Sequence, residues 1–549
     1  MKHSFSLDDR TGGTPEYVDL KGSERKALPA GSRRIGLADP DHITTVTIQV
    51  RSRAKPDELD AAFNRMARQP ISRRKYLTHE QLTKRFGASA KDLDAVEDLA
   101  GQFGLNVLHR DPGNQTLVLR GRVEDFSRAF QVKLYEYRKA GTTFRGRTGF
   151  VRIPRQLEHV IIAVSGLDNR PMRRTPRSHA ALDTQASRIL TFTGKDLAEQ
   201  YRFPEANPDN GRPLDGKGQT IAIVELGGGY LPQDVEAYFR GHKIPKPSVV
   251  AVSVDRRLNL PKSPMSEVIM DIEVLGAAAP GARQVVYFGP PSAKGLFDAV
   301  SAAVMDTERK PSVISISWGF PEDDLTSVTD QLLNEMSVLF KKAALLGITI
   351  CVATGDNGSI DLDPNDPAFA NNRGKLHVDF PACLEASLAC GGTQLTSKGE
   401  AAWNEGNGWA GGGGVSVRIK RPSYQDRAGI PSSPKSRYGI KEGRGIPDVS
   451  GNAINYKVLQ HGESKYAKGT SLVAPLWAGL IARLNQAKGQ RIGFLNPILY
   501  NHPEVCTDIT IGHNDIRPRR RPRQYQAGPH WDAATGLGVP NGEAILQVL

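Results

Sequence analysis

The chain has 549 residues, of which 39% are hydrophobic and 24% are charged, and its formal net charge is +13. This length exceeds what one hydrophobic core usually supports, so we expect two domains, and the composition excludes a fibrous or largely disordered protein. No apolar run reaches the roughly 18 residues of a membrane-spanning helix. The start, MKHSFSLDDR, also lacks the apolar core of a signal peptide. We therefore expect no membrane partner and no standard export signal.

The positive charge lies in the first third of the chain. Residues 1–190 hold 34 Lys and Arg against 22 Asp and Glu, and the rest is nearly neutral. These basic residues are spread over alternating apolar segments without a zinc-finger or RNA-binding motif, which favours a solvated basic face over a nucleic-acid site. A non-catalytic nucleic-acid-binding protein is the alternative from a different functional class.

Four segments are predicted along the chain. Residues 1–40 are polar without an apolar period, which indicates a flexible arm. Residues 41–168 mix short strands and helices, which predicts a compact α+β domain. Residues 169–190 are rich in Arg, Ser, Thr and Pro and are predicted to form an exposed linker open to proteolysis. Residues 191–549 alternate near-continuous apolar strands with helices, which predicts an α/β domain with a parallel sheet between helices.

Several motifs of the second domain fall at the ends of predicted strands or just beyond them. They are ELGGGY, SWGF, TGDNG and KGTS, which contain Glu225, Trp318, Asp356 and Ser471 respectively. Loops at the carboxyl ends of parallel strands build the functional site in such sheets. This edge is therefore the predicted site.

Ser471 is a candidate nucleophile, and a serine hydroxyl needs a base to accept its proton. No histidine of the second domain lies in the His-Gly-Thr-His context of a subtilisin, so the usual base is missing. Glu267 and Asp271 are four residues apart in SEVIMDIEV and would share one face of a helix. The alternative is an amphipathic helix with two solvated acids. Asp356 is either a turn aspartate or, if protonated, a hydrogen-bond donor to an oxyanion.

Together these motifs resemble the sedolisins, or serine-carboxyl peptidases, and within them the kumamolisin-like members. The family motifs G-T-S-x-x-A-P, E-x-x-x-D and G-D-x-G read here GTSLVAP, EVIMD and GDNG. The segments YLTHEQLTKRFGA, VELGGGY, SISWG, HVDFPA, ACGGT, GGGGVS and WDAATGLG extend the likeness over nearly the whole chain. Several spaced motifs that agree independently are far more specific than GTS alone.

The resemblance implies a subtilisin-like catalytic domain preceded by an α+β, ferredoxin-like propeptide. It makes Ser471 the nucleophile, Glu267 its general base, and Asp271 the hydrogen-bonded partner behind Glu267. Asp356 takes the oxyanion role. The likeness places Glu225 and Trp318 in a supporting network behind Asp271, although a strand-end acid and a core aromatic are the plain alternative.

A glutamate base must be ionised while an aspartic acid donor must be protonated, and both conditions hold together only in acid. We therefore expect an acid-acting peptidase. The resemblance further implies a self-processing endopeptidase that cleaves proteins or peptides and is bound by its own propeptide in cis. We expect it to be monomeric and to act outside the cell or in another acidic compartment. The rival enzyme is a neutral subtilisin-type hydrolase with an unrecognised histidine. Asp379 in HVDFPA either lines a substrate pocket or is a turn or strand-end acid.

The same resemblance implies one structural calcium ion near the C-terminus. Oxygen ligands on loops suit this ion. The residues concerned are Asp508, Ile509, Gly528, His530 and Asp532. His530 departs from the family, in which glycine is usual. A position that requires a positive φ would be strained by histidine.

Overall fold

The protein is represented by a computed structural model that describes residues 16–25, 28, 31–139, 141–171, 190–263, 266–324, 326–362, 375–435, 437–516 and 525–549. Its helices are α1 (Pro56–Ala67), α2 (His79–Phe86), α3 (Ala90–Gln102), α4 (Val123–Ala129), α5 (Gly194–Gln200), α6 (Pro232–Gly241), α7 (Glu267–Ala278), α8 (Ala293–Met305), α9 (Asp330–Leu345), α10 (Val473–Lys488), α11 (Asn496–Asn501) and α12 (Gly542–Val548).

The strands of the first domain are β1 (Tyr17–Asp19), β2 (Arg33–Leu37), β3 (Ile43–Val50), β4 (Asn106–Asp111), β5 (Thr116–Arg122), β6 (Tyr135–Lys139), β7 (Thr142–Gly146), β8 (Arg152–Pro154) and β9 (Ile161–Ser165). Four of them form an antiparallel sheet in the order β4-β5-β3-β9. Val46, Ile48 and Val50 of β3 share a core with residues of α3 and α4. With the helices on one face, the domain is the α+β unit that the sequence predicts.

The prediction of a flexible arm over residues 1–40 is wrong for the part that the structure describes. β1 pairs with β8, and β2 pairs with β6 in a three-stranded sheet that includes β7. All five residues of β2 are exposed, so this edge strand shows no apolar alternation and the sequence pattern misses it. Residues 1–15 and most of the predicted linker, 172–189, lie outside the described residues.

The main strands of the second domain are β10 (Thr220–Glu225), β11 (Val249–Ser253), β12 (Arg283–Phe288), β13 (Val313–Ile316), β15 (Thr349–Ala353), β17 (Leu388–Thr396), β18 (Gly399–Ala402) and β21 (Val449–Asn452). They form one sheet in the order β11-β12-β10-β13-β15-β17-β18, with β21 also paired to β17, and only the β17–β18 pair is antiparallel. The predicted parallel α/β sheet is confirmed.

Short pairs complete the second domain: β14 (Phe320–Pro321) with β16 (Asp379–Phe380), β19 (Gly414–Lys420) with β20 (Gly443–Ile446), β22 (Tyr456–Gln460) with β23 (Glu463–Ala467), and β24 (Cys506–Thr507) with β25 (Val539–Pro540). Helices cover both faces of the main sheet. Ile221 and Ile223 of β10 belong to the core formed with α7 and α10, whereas Ala222 and Val224 belong to the core formed with α8 and α9. Apolar residues on both faces explain the near-continuous apolar runs.

The two domains share a buried interface. Helix α1 packs on α9, and the rings of Phe63 and Phe494 lie 5.1 Å apart across the boundary. On the sheet of the first domain, the Thr47 hydroxyl donates to the Asp298 carboxylate at 3.2 Å. The outer face of β3 is thus covered by the second domain. Within the described residues, no helix is both long and apolar enough to cross a lipid bilayer.

Candidate active site

The site lies at the carboxyl edge of three neighbouring strands. β10, β13 and β15 are parallel and adjacent, so their carboxyl ends meet at one edge. Glu225 ends β10, Ser317 and Trp318 follow β13, and Asp356 comes shortly after β15. Ser471 lies in a 3-10 turn that leads into α10. The structure therefore gathers these residues at the predicted edge.

Helix α7 brings the paired carboxyls to this edge. Every residue of α7 is buried, because the helix packs against α10, α5 and the turn that holds Ser471. Glu267 is 1% exposed and Asp271 is fully buried. The alternative of two solvated acids on an amphipathic helix is wrong. Burial disfavours the charged form of a carboxyl group. We therefore expect at least one of the buried carboxyls at this edge to be protonated.

A hydroxyl joins Asp271 to the segment that holds Ser471. Ser317 Oγ lies 2.8 Å from Asp271 Oδ2 and 3.2 Å from the carbonyl oxygen of Ser471. A hydroxyl can accept one hydrogen bond and donate another, so Ser317 can link a protonated Asp271 to the Ser471 backbone. The sequence reasoning missed Ser317, although its place just beyond a predicted strand in SISWG was an available signal.

Glu225 and Trp318 form the next layer of the cluster. Trp318 Nε1 donates to Glu225 Oε2 at 3.1 Å, and the carboxyl of Glu225 is fully buried. Burial and the neighbouring charge of Glu267 raise the pKa of Glu225 well above its usual range. Burial, followed by the charges of Glu225 and Glu267, likewise raises the pKa of Asp271, while the hydrogen bond from Ser317 partly offsets this.

These shifts have a definite sign for stability. A carboxyl whose pKa is raised by folding stabilises the fold fully below its unfolded-state pKa, and that contribution is lost as pH rises through the folded-state pKa. The raised pKa values of Glu225 and Asp271 therefore make the folded state more stable in acid than in alkali.

Asp356 is held near Ser471 through Thr470, the residue before Ser471. Its Oδ1 accepts hydrogen bonds from the backbone N–H of Thr470 at 2.8 Å and from the Thr470 hydroxyl at 2.9 Å. A Cβ added to Gly469 would lie 3.1 Å from Asp356 Oδ2, and Gly469 has φ +138°, so glycine suits this close approach. Because Oδ1 is held as an acceptor, a proton on this carboxyl belongs on Oδ2.

Most of the six histidines of the second domain are engaged elsewhere. Ring nitrogens of five of them lie within hydrogen-bond distance of other groups: His242 with the Tyr238 carbonyl, His377 with Asp323, His461 with the Pro261 carbonyl, His502 with Glu504, and His513 with Asn404. Within the described residues, Ser471 Oγ is bonded neither to a histidine nor to a carboxylate. Catalytic hydrogen bonds are often long without substrate and shorten in the substrate complex.

Asp379 lies next to the segment that follows β13. It is fully buried in β16, which pairs with β14, and a Cβ on Gly319 would be 1.8 Å from Asp379 Oδ1. Gly319 comes directly after Trp318, so the carboxyl packs on the backbone beside the carboxylate cluster. Its assignment as a substrate-pocket residue stays a prediction.

The predicted calcium residues meet on two loops near the C-terminus. Asp508 Oδ2 accepts from the His530 N–H at 2.7 Å, and Asp532 Oδ2 accepts from the Gly528 N–H at 3.2 Å. Thr535 Oγ1 lies 3.1 Å from Asp532 Oδ2 and 3.4 Å from the Ile509 carbonyl. Burial raises the pKa of Asp532 to about 6.

The donor set at these loops fits a hard cation, because two carboxylates and backbone carbonyls supply only oxygen ligands. Among the described residues, no cluster of three or more His, Cys, Asp and Glu side chains is suited to a metal, so a cation here would depend on the carbonyls. His530 has φ +68°, the left-handed conformation that favours glycine. The strain expected from histidine at this position is therefore present.

Comparison with known proteins agrees with this architecture. Residues 30–170 match the family model of the pro-kumamolisin activation domain, and residues 268–498 match that of the subtilase family. The chain is 40% identical to kumamolisin from Bacillus sp. (strain MN-32) over 551 residues, which cover 96% of each chain. It is 27% identical to sedolisin from Pseudomonas sp. (strain 101), over 97% of this chain and 90% of that protein.

A solved structure is similar as well. Pseudomonas sedolisin, a serine-carboxyl proteinase complexed with two molecules of pseudo-iodotyrostatin, superposes with a TM-score of 0.53 at 27% identity. The match covers 63% of this chain and 96% of that structure. The predicted order of a propeptide domain followed by a subtilisin-like catalytic domain is confirmed.

Proposed function

This chain belongs to the sedolisin family of serine-carboxyl peptidases, and we propose that it is an acid-acting endopeptidase that processes its own precursor and forms an acyl-enzyme on Ser471. The observation that carries the proposal is the chain of contacts from the buried carboxyl of Asp271 through Ser317 to the backbone of Ser471. Its substrates are proteins or peptides. The proposed enzyme is a monomer. Its acidic optimum suits a location outside the cell or in another acidic compartment.

In the proposed mechanism, Glu267 accepts the proton of Ser471 Oγ as that oxygen attacks the peptide carbonyl. Glu267 then delivers this proton to the leaving amine, and the acyl-enzyme is hydrolysed by the reverse sequence with water as the nucleophile. Asp271 keeps its proton because its pKa is raised, so it can donate a hydrogen bond without adding a second negative charge beside Glu267. Ser317 fixes the position of Asp271 relative to the turn that holds Ser471.

Asp356 is proposed to donate a hydrogen bond from Oδ2 to the oxygen of the tetrahedral intermediate, while Oδ1 stays bound to Thr470. Asp356→Asn preserves this arrangement, because the amide oxygen can accept from Thr470 and the amide N–H₂ replaces the protonated oxygen. We expect the alkaline limb of the pH–rate profile to move toward neutral pH, since an amide donates at every pH. Peptide hydrolysis measured from pH 3 to 8 tests this. An alkaline limb unchanged in the variant would mean that Asp356 is not the titrating donor.

The first domain is proposed to act as an inhibitory propeptide, with cleavage in residues 169–190 releasing the enzyme. The extensive contact between α1 and α9 supports a stable complex before cleavage. Because the proposed active site works in acid, the precursor would cleave itself at the same acidic pH at which the released peptidase works.

A calcium ion is proposed to be held by the carboxylates of Asp508 and Asp532 and by the carbonyls of Ile509, Gly528 and His530. When bound, the ion would supply positive charge that offsets the two carboxylates and ties the two loops together. Its role is structural, since these loops contribute no group to the proposed proton transfers.

Removal of calcium is expected to lower the melting temperature by about 5 °C or more, because a ligand at 100 times its Kd adds about 2.7 kcal/mol to the folded state. Thermal unfolding of the precursor with and without a chelator measures this. Asp532→Ala should abolish the difference, whereas Asp209→Ala, an exposed control, should keep it. Identical melting curves with and without chelator in the unsubstituted protein would rule the site out.

A further inference from the structure

A cavity lies between the two domains, away from the proposed active site. It has a volume of about 950 Å³, and none of the proposed catalytic residues lines it. One wall is a single face of α9, with Gln331, Glu335, Val338 and Lys342 at helical spacing. The opposite wall comes from the first domain, including Gln49 of β3. Any ligand that fills this space therefore contacts both domains.

Two acceptor oxygens in the walls have no hydrogen-bond donor. Glu335 Oε2 and Gln49 Oε1 are buried, and neither has a partner among the described residues. The two residues are only 5% and 3% exposed. Burial, with a smaller effect of the Asp298 charge, raises the pKa of Glu335 to about 8. Buried polar groups without partners are costly, so these atoms mark a place where a donor is missing.

Three of the basic residues that line the cavity are bound to other groups. Lys342 Nζ lies 2.8 Å from the Gly113 carbonyl and 2.5 Å from Gln115 Oε1, and burial lowers its pKa to about 7. Arg51 forms a two-point ion pair with Asp92 at 2.9 and 3.0 Å. The next basic residue, Arg53, donates to the carbonyls of Gly87 and Ala88. Lys21 and Lys55 also line the cavity, but both are solvent-exposed.

We propose that this interdomain cavity binds an aliphatic amine, with its ammonium group between Glu335 and Gln49 and its chain against Leu59, Phe86 and Val338. An ammonium group supplies three donors, and its positive charge lowers the pKa of Glu335 so that this carboxyl ionises when the amine binds. The alkyl chain covers apolar wall that is otherwise in contact with solvent. Such a ligand binds the undivided precursor and not the separated domains, so it stabilises the precursor by mass action.

The test uses the full-length chain with Ser471→Ala, which keeps the two domains joined. Titration calorimetry and thermal unfolding are performed with hexylamine, 1-hexanol and hexanoate at neutral pH. Saturable binding of hexylamine, at least ten times tighter than that of the other two and accompanied by a higher melting temperature, is expected. Equal binding of 1-hexanol would overturn the role of the ammonium group, and no saturable binding of hexylamine would overturn the site.

Two additional variants locate the amine. Glu335→Gln should weaken hexylamine binding at least tenfold, while Glu463→Gln, at an exposed position of β23, should leave it unchanged. Gln49→Leu removes the second acceptor and serves as the independent variant if Glu335→Gln does not fold. Hexylamine binding that is unaffected in a folded Glu335→Gln or Gln49→Leu protein contradicts the proposed position.

Discussion

Ser471→Ala will leave the precursor at full length and lower peptide hydrolysis by about 10⁵-fold or more, because no other group is proposed to form the acyl intermediate. The fold should survive the change. The Ser471 side chain caps no helix, and the turn that holds it is stabilised by the contacts of Thr470 with Asp356.

Gel analysis of the purified precursor during acid incubation, together with a melting curve, checks this expectation. Ser464→Ala, an exposed serine on β23, is the matched control and should process normally. Self-cleavage by purified Ser471→Ala protein at the unsubstituted rate would remove Ser471 from the role of nucleophile.

Glu267→Gln is expected to reduce kcat/KM by about 10³- to 10⁴-fold, since an amide of the same shape cannot accept the serine proton. Stability should be maintained or increased, because the substitution removes an ionisable group that is 1% exposed. The initial rate of peptide hydrolysis and the melting temperature are the two measurements.

The same helix offers a matched control for this substitution. Glu273 is likewise buried on α7, and burial raises its pKa, but its Oε2 accepts from the Leu459 N–H at 3.0 Å, on β22. Glu273→Gln should therefore change activity little. If Glu267→Gln retained most of its activity, or if both variants lost it equally, the base would have to be sought elsewhere.

The sequence predicted the site well where chain order and sheet geometry fix positions. Apolar strands alternating with helices imply parallel strands, and parallel strands bring Glu225, Trp318 and Asp356 to one edge. The four-residue spacing of Glu267 and Asp271 likewise predicted one helix face. It could not predict that this face is buried, because burial of α7 depends on α10 and α5, which lie far away in the chain.

Features that depend on contacts between distant segments were missed. The place of Ser317 just beyond a strand does not reveal its partners, because its link between Asp271 and Ser471 exists only after folding. β2 is exposed throughout, so it lacks the apolar alternation that signals a strand. Glu335 sits in an ordinary amphipathic helix pattern, which does not reveal that it is buried in the folded chain.

The central claim is that a carboxylate, and not a histidine, accepts the proton of Ser471. The most direct test is the pH dependence of kcat/KM for peptide hydrolysis by the processed enzyme from pH 3 to 8. Our account predicts a bell-shaped profile with its maximum in acid, in which the limbs report apparent pKa values of the coupled carboxyl groups. A rate that rises through pH 6 to 7 and stays high at pH 8 is the behaviour of a histidine base and would contradict the account.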